Sequence, residues 1–374
     1  MRRCPVCNSN DVATSVYRAR LPVLQNRVYT ARYAALQSST APFRLGTCRT
    51  CGFSYNAIFE PKLVVYDEDY DNEVPSPTFL RYYEQIANML VERFQLTSGS
   101  VYDVGCGRGA FLRTLCRIAP GIRGVGIDPS CEPLSQDNCT LIRDVFRPEH
   151  FAGDTKLVLL RHVLEHIHNP VTFLSMLRKS LGNVPLFIEV PELRWIYYNN
   201  AFWDFCYEHC NYFTGTSLTY VLNCAGFQVE EHQTSFGDQY QWAICTPSEK
   251  YSAETPSGSD EVAIAQNYHA RETECIEAAR QMVNKTHNPV IWGMATKGVI
   301  FADLMGADRI AGGIDINPRK QGRFAPGSGI EIHRPEWLQT FADESTVLIM
   351  NPNYADEIRE QISSMGIQPN TVAV

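Results

Sequence analysis

From residue 75 onward the chain alternates between two hydrophobic rhythms. Short apolar runs at 100–105, 124–128, 156–160 and 185–191 predict strands, and residues 78–94, 109–118 and 171–181 predict helices between them. Strands alternating with helices imply a parallel sheet covered on both faces. The polar stretch 252–259, containing Glu254-Thr255-Pro256-Ser257-Gly258-Ser259, breaks this rhythm and reads as a linker. Beyond it a helix over 260–284 leads into a second α/β unit, with strands at 289–293, 310–315 and 346–350 and a helix ending near residue 304. Residues before 75 show two cysteine pairs, short polar stretches and little periodicity, and are expected to form a small loop-rich module. The expected units are therefore 1–74, 75–254 and 255–374.

A chain of 374 residues with 44% hydrophobic and 20% charged residues suits two or three globular domains. No run reaches the roughly 20 apolar residues of a membrane span, and no apolar stretch follows Arg2-Arg3, so a cytoplasmic protein without membrane contact is expected. A net charge of −8 argues against a surface that tracks nucleic-acid phosphates. The oligomeric state is left open.

Most of the 13 cysteines stand singly in apolar or helical stretches, as Cys116 and Cys224 do. Four do not. Cys4-Pro5-Val6-Cys7 and Cys48-Arg49-Thr50-Cys51-Gly52 make a CxxC…CxxC set, which matches the tetrahedral four-thiolate demand of zinc. Four thiolates leave no open coordination position, so Cys4, Cys7, Cys48 and Cys51 are expected to hold a structural zinc.

After the strand ending in Asp103-Val104, the loop Gly105-Cys106-Gly107-Arg108-Gly109 places glycine at alternate positions, where the backbone must turn tightly and let a ligand approach. Its GxGxG spacing differs from the dinucleotide fingerprint GxGxxG. The next strand ends in Asp128, whose carboxylate can accept both ribose hydroxyls. The third ends in Arg143-Asp144-Val145-Phe146, where Asp144 and Phe146 could hold an adenine amino group and ring. With Asp103 and the strand-end segment His162-Val163-Leu164-Glu165-His166, these motifs resemble class I S-adenosylmethionine methyltransferases, implying a Rossmann-like core that binds that cofactor.

The whole chain resembles the zinc-containing nucleotide-sugar C-methyltransferases of deoxysugar pathways. The resemblance rests on the four cysteines, on Glu208-His209-Cys210-Asn211-Tyr212-Phe213, and on C-terminal motifs: Trp292-Gly293-Met294-Ala295-Thr296-Lys297-Gly298, Asp315-Ile316-Asn317-Pro318-Arg319-Lys320-Gln321-Gly322-Arg323, and Asp356-Glu357-Ile358. It implies an N-terminal zinc module, a methyltransferase core and a C-terminal α/β domain, with a nucleotide-diphosphate 4-keto-sugar bound between core and C-terminal domain. His209 would be the base that forms an enolate, Glu208 its orienter or a substrate contact, and His166 and Tyr70 further active-site groups. Lys297, Asn317, Lys320 and Arg323 would be the substrate contacts. The chain departs from the family on the substrate side. Cys206 stands where a tyrosine is usual, so the hydroxyl is missing or supplied by Tyr207. Phe236-Gly237-Asp238-Gln239 replaces paired glycines, and Asn351-Pro352-Asn353 stands where Trp-Asn is usual. O- or N-methylation of a nucleotide sugar is the alternative, and RNA methylation a more distant one.

Overall fold

The computed structural model describes residues 2–67, 69–73, 75–151, 153–249, 254–341 and 344–374. Val74, at the expected end of the N-terminal module, and Lys250, Ser252 and Ala253, at and beside the expected linker, lie outside the described residues, as does Glu68.

Three sheets organise the chain. The largest has eight strands, in spatial order Phe227–Ser235, Tyr240–Pro247, Leu186–Pro191, Thr155–Arg161, Gly99–Val104, Ile122–Ile127, Cys139–Ile142 and Leu134–Gln136. The five strands from Leu186–Pro191 to Cys139–Ile142 run parallel. The chain moves outward from Gly99–Val104 in one direction, then returns to Thr155–Arg161 and moves outward in the other. The order therefore reverses between these two strands, and a crevice opens at their carboxyl ends, where open α/β sheets bind ligands. The strands are legible as apolar runs because helices cover both faces: Leu157, Val158, Leu159 and Leu160 are all fully buried.

The second sheet repeats the design on a smaller scale. Its strands lie in the order Arg323–Phe324, Glu331–His333, Gly312–Ile314, Pro289–Trp292, Thr346–Ile349 and Asn370–Ala373, and only the first of these pairs antiparallel. Its own reversal point is at Pro289–Trp292, and the carboxyl ends there face the crevice of the large sheet.

The N-terminal residues differ from the loop-rich expectation. An 11-residue strand, Val12–Pro22, pairs antiparallel with Thr40–Cys48, which continues to Ser54–Asn56. Register shifts between Thr14 and Tyr17 and between Arg18 and Leu21 interrupt the inside–outside alternation, which hides the strand from a period-two reading. A fourth strand, Asn211–Tyr212, comes from the middle block and pairs with Ser54–Asn56. The hydrophobic core around Phe43, Tyr197, Phe205, Phe301 and Met294 joins all three parts of the chain, and helix Ser259–Lys285 adds the buried Arg18–Glu272 ion pair to the N-terminal sheet. Among the described residues no helix is long and apolar enough to cross a membrane.

Helix Pro77–Phe94 is capped twice. Ser76 Oγ accepts from Phe79 N at its own start, and Glu357, from the C-terminal unit, accepts Ser76 Oγ at 2.7 Å and Thr78 N at 2.8 Å. A carboxylate on exposed helix amides meets both their hydrogen-bond demand and the positive end of the helix dipole. Glu357→Ala should therefore destabilise the protein by about 1–2 kcal/mol, read as a lower urea midpoint. An unchanged midpoint would show that Glu357 contributes nothing to the cap.

Candidate functional site

The carboxyl ends of the two parallel sheets enclose one cavity of about 530 Å3, a size ordinary for small-molecule sites. On the large-sheet side, Gly105, Gly107 and Gly109 all have positive φ (76°, 53° and 78°). A Cβ on Gly105 would come within 2.3 Å of Val163 Cγ2, so only glycine lets the loop lie flat against the next strand end. Asp128 accepts Gly107 N at 2.9 Å through Oδ2 and Ser130 N at 2.7 Å through Oδ1, which fixes its carboxylate beside the loop. Asp144 and the buried Phe146 line the same side. Asp144 accepts from Val145 N and pairs with Arg147, which holds its carboxyl below the usual range.

Asp103 lies at the floor. It is buried, its Oδ1 has no hydrogen-bond partner, and burial pushes its carboxyl up to about 7 against the opposing pull of Arg161. Arg161 itself is fixed by Glu189, with Nε 2.7 Å from Oε2, and its guanidinium lies 4.0 Å from the Phe111 ring centroid.

The middle of the cavity holds a polar cluster from two segments. Strand Thr155–Arg161 runs into His162, whose φ of 54° turns the chain into the short 3-10 turn Leu164–His166. The His162 ring stands 3.5 Å from Glu189 Oε2 and 3.7 Å from Glu165 Oε1. The second segment carries Glu208 and His209 and is pinned by the strand Asn211–Tyr212. Glu208 is buried beneath the cavity and accepts Gln25 N at 3.1 Å and the Tyr70 hydroxyl at 2.7 Å. Tyr66 hydrogen-bonds His166 Nδ1 at 2.9 Å and reaches Glu208 at 3.5 Å. The ring centroids of His166 and His209 are 4.9 Å apart. Burial, then the neighbouring His166, push His209 down to about 3, so it is a neutral imidazole at neutral pH.

On the C-terminal side, Lys297 pairs with Asp204 and sits 4.9 Å from the Trp195 ring centroid. Lys320 donates to Asn26 Oδ1 at 3.0 Å and approaches Asp315 at 3.9 Å. Asn351 and Gln239 close the wall, joined at 2.8 Å, while Asn353 donates to the Phe236 carbonyl at 2.7 Å. Two of the three segments in which this chain departs from the family it resembles thus meet each other.

Not every expected residue faces this space. Tyr207 lies outside the lining; its hydroxyl accepts Glu60 N at 2.9 Å and its ring packs on Phe59. The Cys206 thiol is buried and pushed up by that burial. The hydroxyls that do reach the cluster are those of Tyr66 and Tyr70. Asn317 is spent on Asp71 at 3.1 Å and on the Glu73 carbonyl, tying the C-terminal unit to the segment before Pro75. Arg323 does not line the cavity and lies in the outermost strand of its sheet. Sequence reasoning missed Tyr66, Asn26, Asp204 and Trp195, all of which do line it; their partners are far away in the chain.

Away from the cavity, Cys4, Cys7, Cys48 and Cys51 bring four Sγ atoms within 4.8 Å of one another. Cys4 and Cys51 are 3.6 Å apart, and Cys7 and Cys48 3.5 Å. Each knuckle closes on a left-handed residue, Asn8 or Gly52, whose amide returns to the carbonyl of the first cysteine. Arg2, beside this cluster, hydrogen-bonds His168 of the middle block.

A methyltransferase-domain model matches residues 79–232, and a C-methyltransferase C-terminal-domain model matches residues 248–369. No curated protein matches the chain. Solved structures similar to it include a methyltransferase of calicheamicin biosynthesis in its SAH-bound form, at 18% identity over 45% of this chain and 56% of that one, with a TM-score of 0.34. Mitomycin 7-O-methyltransferase is similar at 14% identity over 45% and 54%, with a TM-score of 0.36. The magnesium protoporphyrin IX methyltransferase of Synechocystis PCC 6803, with bound SAH, is similar at 14% identity over 46% and 84%, with a TM-score of 0.37. The chain spans little more than half the length of the first two.

The Asp103 carboxyl ionises at about pH 4 in an unfolded chain and near 7 in the folded protein. The folded state therefore holds the extra proton between those values, and stability falls as pH rises through that window. Asp103→Asn removes this slope, so the stability of the variant minus that of the wild type, measured by urea unfolding, grows from about pH 4 to 7 and is flat above. A difference independent of pH would contradict the burial-driven ionisation.

Proposed function

We propose, from the premise that this chain is an S-adenosylmethionine-dependent methyltransferase carrying a C-methyltransferase C-terminal domain, that it methylates carbon in a nucleotide-diphosphate keto-sugar. The observation that carries this reading is one cavity shared by three walls. The Gly105–Gly109 loop with Asp128 stands on one side, the Glu165, His166 and His209 cluster in the middle, and Lys297 with Lys320 opposite.

The cofactor fits the first wall. An unpartnered buried carboxylate at Asp103 suits a cationic amino group, Asp128 is oriented to accept ribose hydroxyls, and Phe146 offers a ring to stack on adenine. When bound, the cofactor supplies an electrophilic methyl on a sulfonium. The chain's own task is then to make a carbon nucleophile. His209, neutral, would take the proton from the carbon beside the sugar ketone, and the resulting enolate carbon would form its bond to the methyl as the sulfur–methyl bond breaks. The His166 ring and the Tyr66 hydroxyl, beside His209, would be the donors for the developing oxyanion.

A pKa pushed down to about 3 makes a weak base. Lys297 is one of the charges that lower it. Lys297 is the least of them and burial the greatest, so a diphosphate that pairs with Lys297 would lift the imidazole only slightly.

The four cysteines fit zinc. Sulfur–zinc bonds of about 2.3 Å at tetrahedral angles put sulfurs about 3.8 Å apart, close to the 3.5 and 3.6 Å present. The metal would be structural, holding the N-terminal sheet that delivers Gln25 and, through the strand Asn211–Tyr212, the Glu208–His209 segment.

The test is solvent exchange. The protein is incubated with a nucleotide-diphosphate 4-keto-6-deoxysugar in deuterated water, without and then with S-adenosylmethionine. Deuterium beside the ketone without cofactor, and a carbon-bound methyl with it, is expected, and His209→Ala should lower both by roughly 100-fold or more. A methyl on oxygen or nitrogen with no exchange would overturn the carbon assignment.

A further inference from the structure

Glu165, His166 and His209 each place one potential ligand atom within 4.8 Å of the other two. Two come from the turn Leu164–His166, and the third from the segment ahead of strand Asn211–Tyr212. All three line the cavity. One feature sets the cluster apart from ordinary polar packing. Glu165 is 2% exposed, yet its Oε2 has no hydrogen-bond partner. A buried carboxylate oxygen without a donor is unfavourable unless a cation or donor arrives.

We infer that this cluster is a second divalent-metal site, taking a zinc-class transition ion through two imidazoles and one carboxylate, and that its occupancy withdraws His209 from base chemistry. Donor type selects the ion. Imidazole suits zinc, cobalt and their neighbours, whereas calcium and magnesium are held by oxygen. Bonds of about 2.0–2.1 Å require ligand atoms about 3.4 Å apart at tetrahedral angles, so rotations that bring the three atoms in by about an ångström complete the site. The fourth position would face the cavity, open to water or a substrate oxygen. The inhibitory consequence rests on the proposal that His209 is the base; the binding does not.

The test uses the full 374-residue chain, zinc-loaded at the cysteines and titrated with Co2+ under visible absorption. The expected result is one further Co2+ per chain, with d–d absorption and no added thiolate charge-transfer band. Glu165→Gln and His209→Ala should each weaken that binding by roughly 10–100-fold or more. Retained S-adenosylmethionine binding by both variants shows that they fold. In the wild type the same ion should slow methyl transfer, and a chelator should restore it. Absence of nitrogen- and oxygen-type cobalt absorption in the wild type, or equal absorption in both variants, overturns the site. Because absorption reads binding alone, a protein that takes cobalt at this cluster but transfers no methyl even when cobalt is absent would contradict the proposed function and leave the metal site standing.

Discussion

A buried carboxylate must be surrounded by donors or not be there at all. Glu208 is such a group, and its three donors come from two separate stretches: the Gln25 amide just beyond the strand Val12–Pro22, and the Tyr66 and Tyr70 hydroxyls of the segment that crosses toward the middle block. Satisfying this one group therefore fixes where the N-terminal sheet sits, how the crossing segment runs, and which way the adjacent His209 faces. Further along that segment, Asp71 repeats the device. It lies between Arg108 of the glycine loop and Arg319 of the C-terminal unit, at 3.3 and 3.1 Å, and also accepts Asn317. The described residues 66–67 and 69–73 are thus held by two buried carboxylates, Glu208 through Tyr66 and Tyr70, and Asp71 through Arg108, Arg319 and Asn317.

With that segment in place, two parallel sheets meet crevice to crevice. Each sheet alone would offer a ligand groove open to solvent; facing each other, they enclose a space lined on one side by the glycine loop and Asp128 and on the other by Lys297 and Lys320. The proposed carbanion chemistry would need such a space, because an enolate exposed to water is reprotonated. On this account the walls also divide the labour. The eight-stranded sheet would set cofactor geometry and the six-stranded sheet would hold the charged part of the proposed substrate. The segment bearing Glu208 and His209, stitched to the N-terminal sheet through Ser54–Asn56, brings His209, the proposed base, between them.

What could be read in the sequence follows from how each part is stabilised. The strands around Asp103 and Asp128 are buried on both faces, so they appear as apolar runs, and the glycine loop is visible because no other residue fits beside Val163. The hairpin Val12–Pro22 with Thr40–Cys48 was hidden by its bulges, which scramble the alternation that marks a half-buried strand. The polar cluster in the middle of the cavity was legible only in part. Glu208, His209 and His166 sit in recognisable segments, but Tyr66 acquires its meaning from a partner 100 residues away, and the two-residue strand Asn211–Tyr212 is too short to carry a pattern. Likewise, Gln239 and Asn351 each stood out as a departure, yet that the two bond to each other is a property of the fold alone.

On the proposed reading, cofactor and nucleotide sugar share this cavity, with His209 between them. Its most direct test is a crystal structure with S-adenosylhomocysteine and a nucleotide-diphosphate 4-keto-sugar bound together. The account predicts the sugar carbon beside the ketone about 3–3.5 Å from a His209 ring nitrogen, the thioether sulfur on the opposite face of that carbon, and the diphosphate against Lys297. A sugar bound outside the cavity, or one whose ketone faces away from His209, would contradict it.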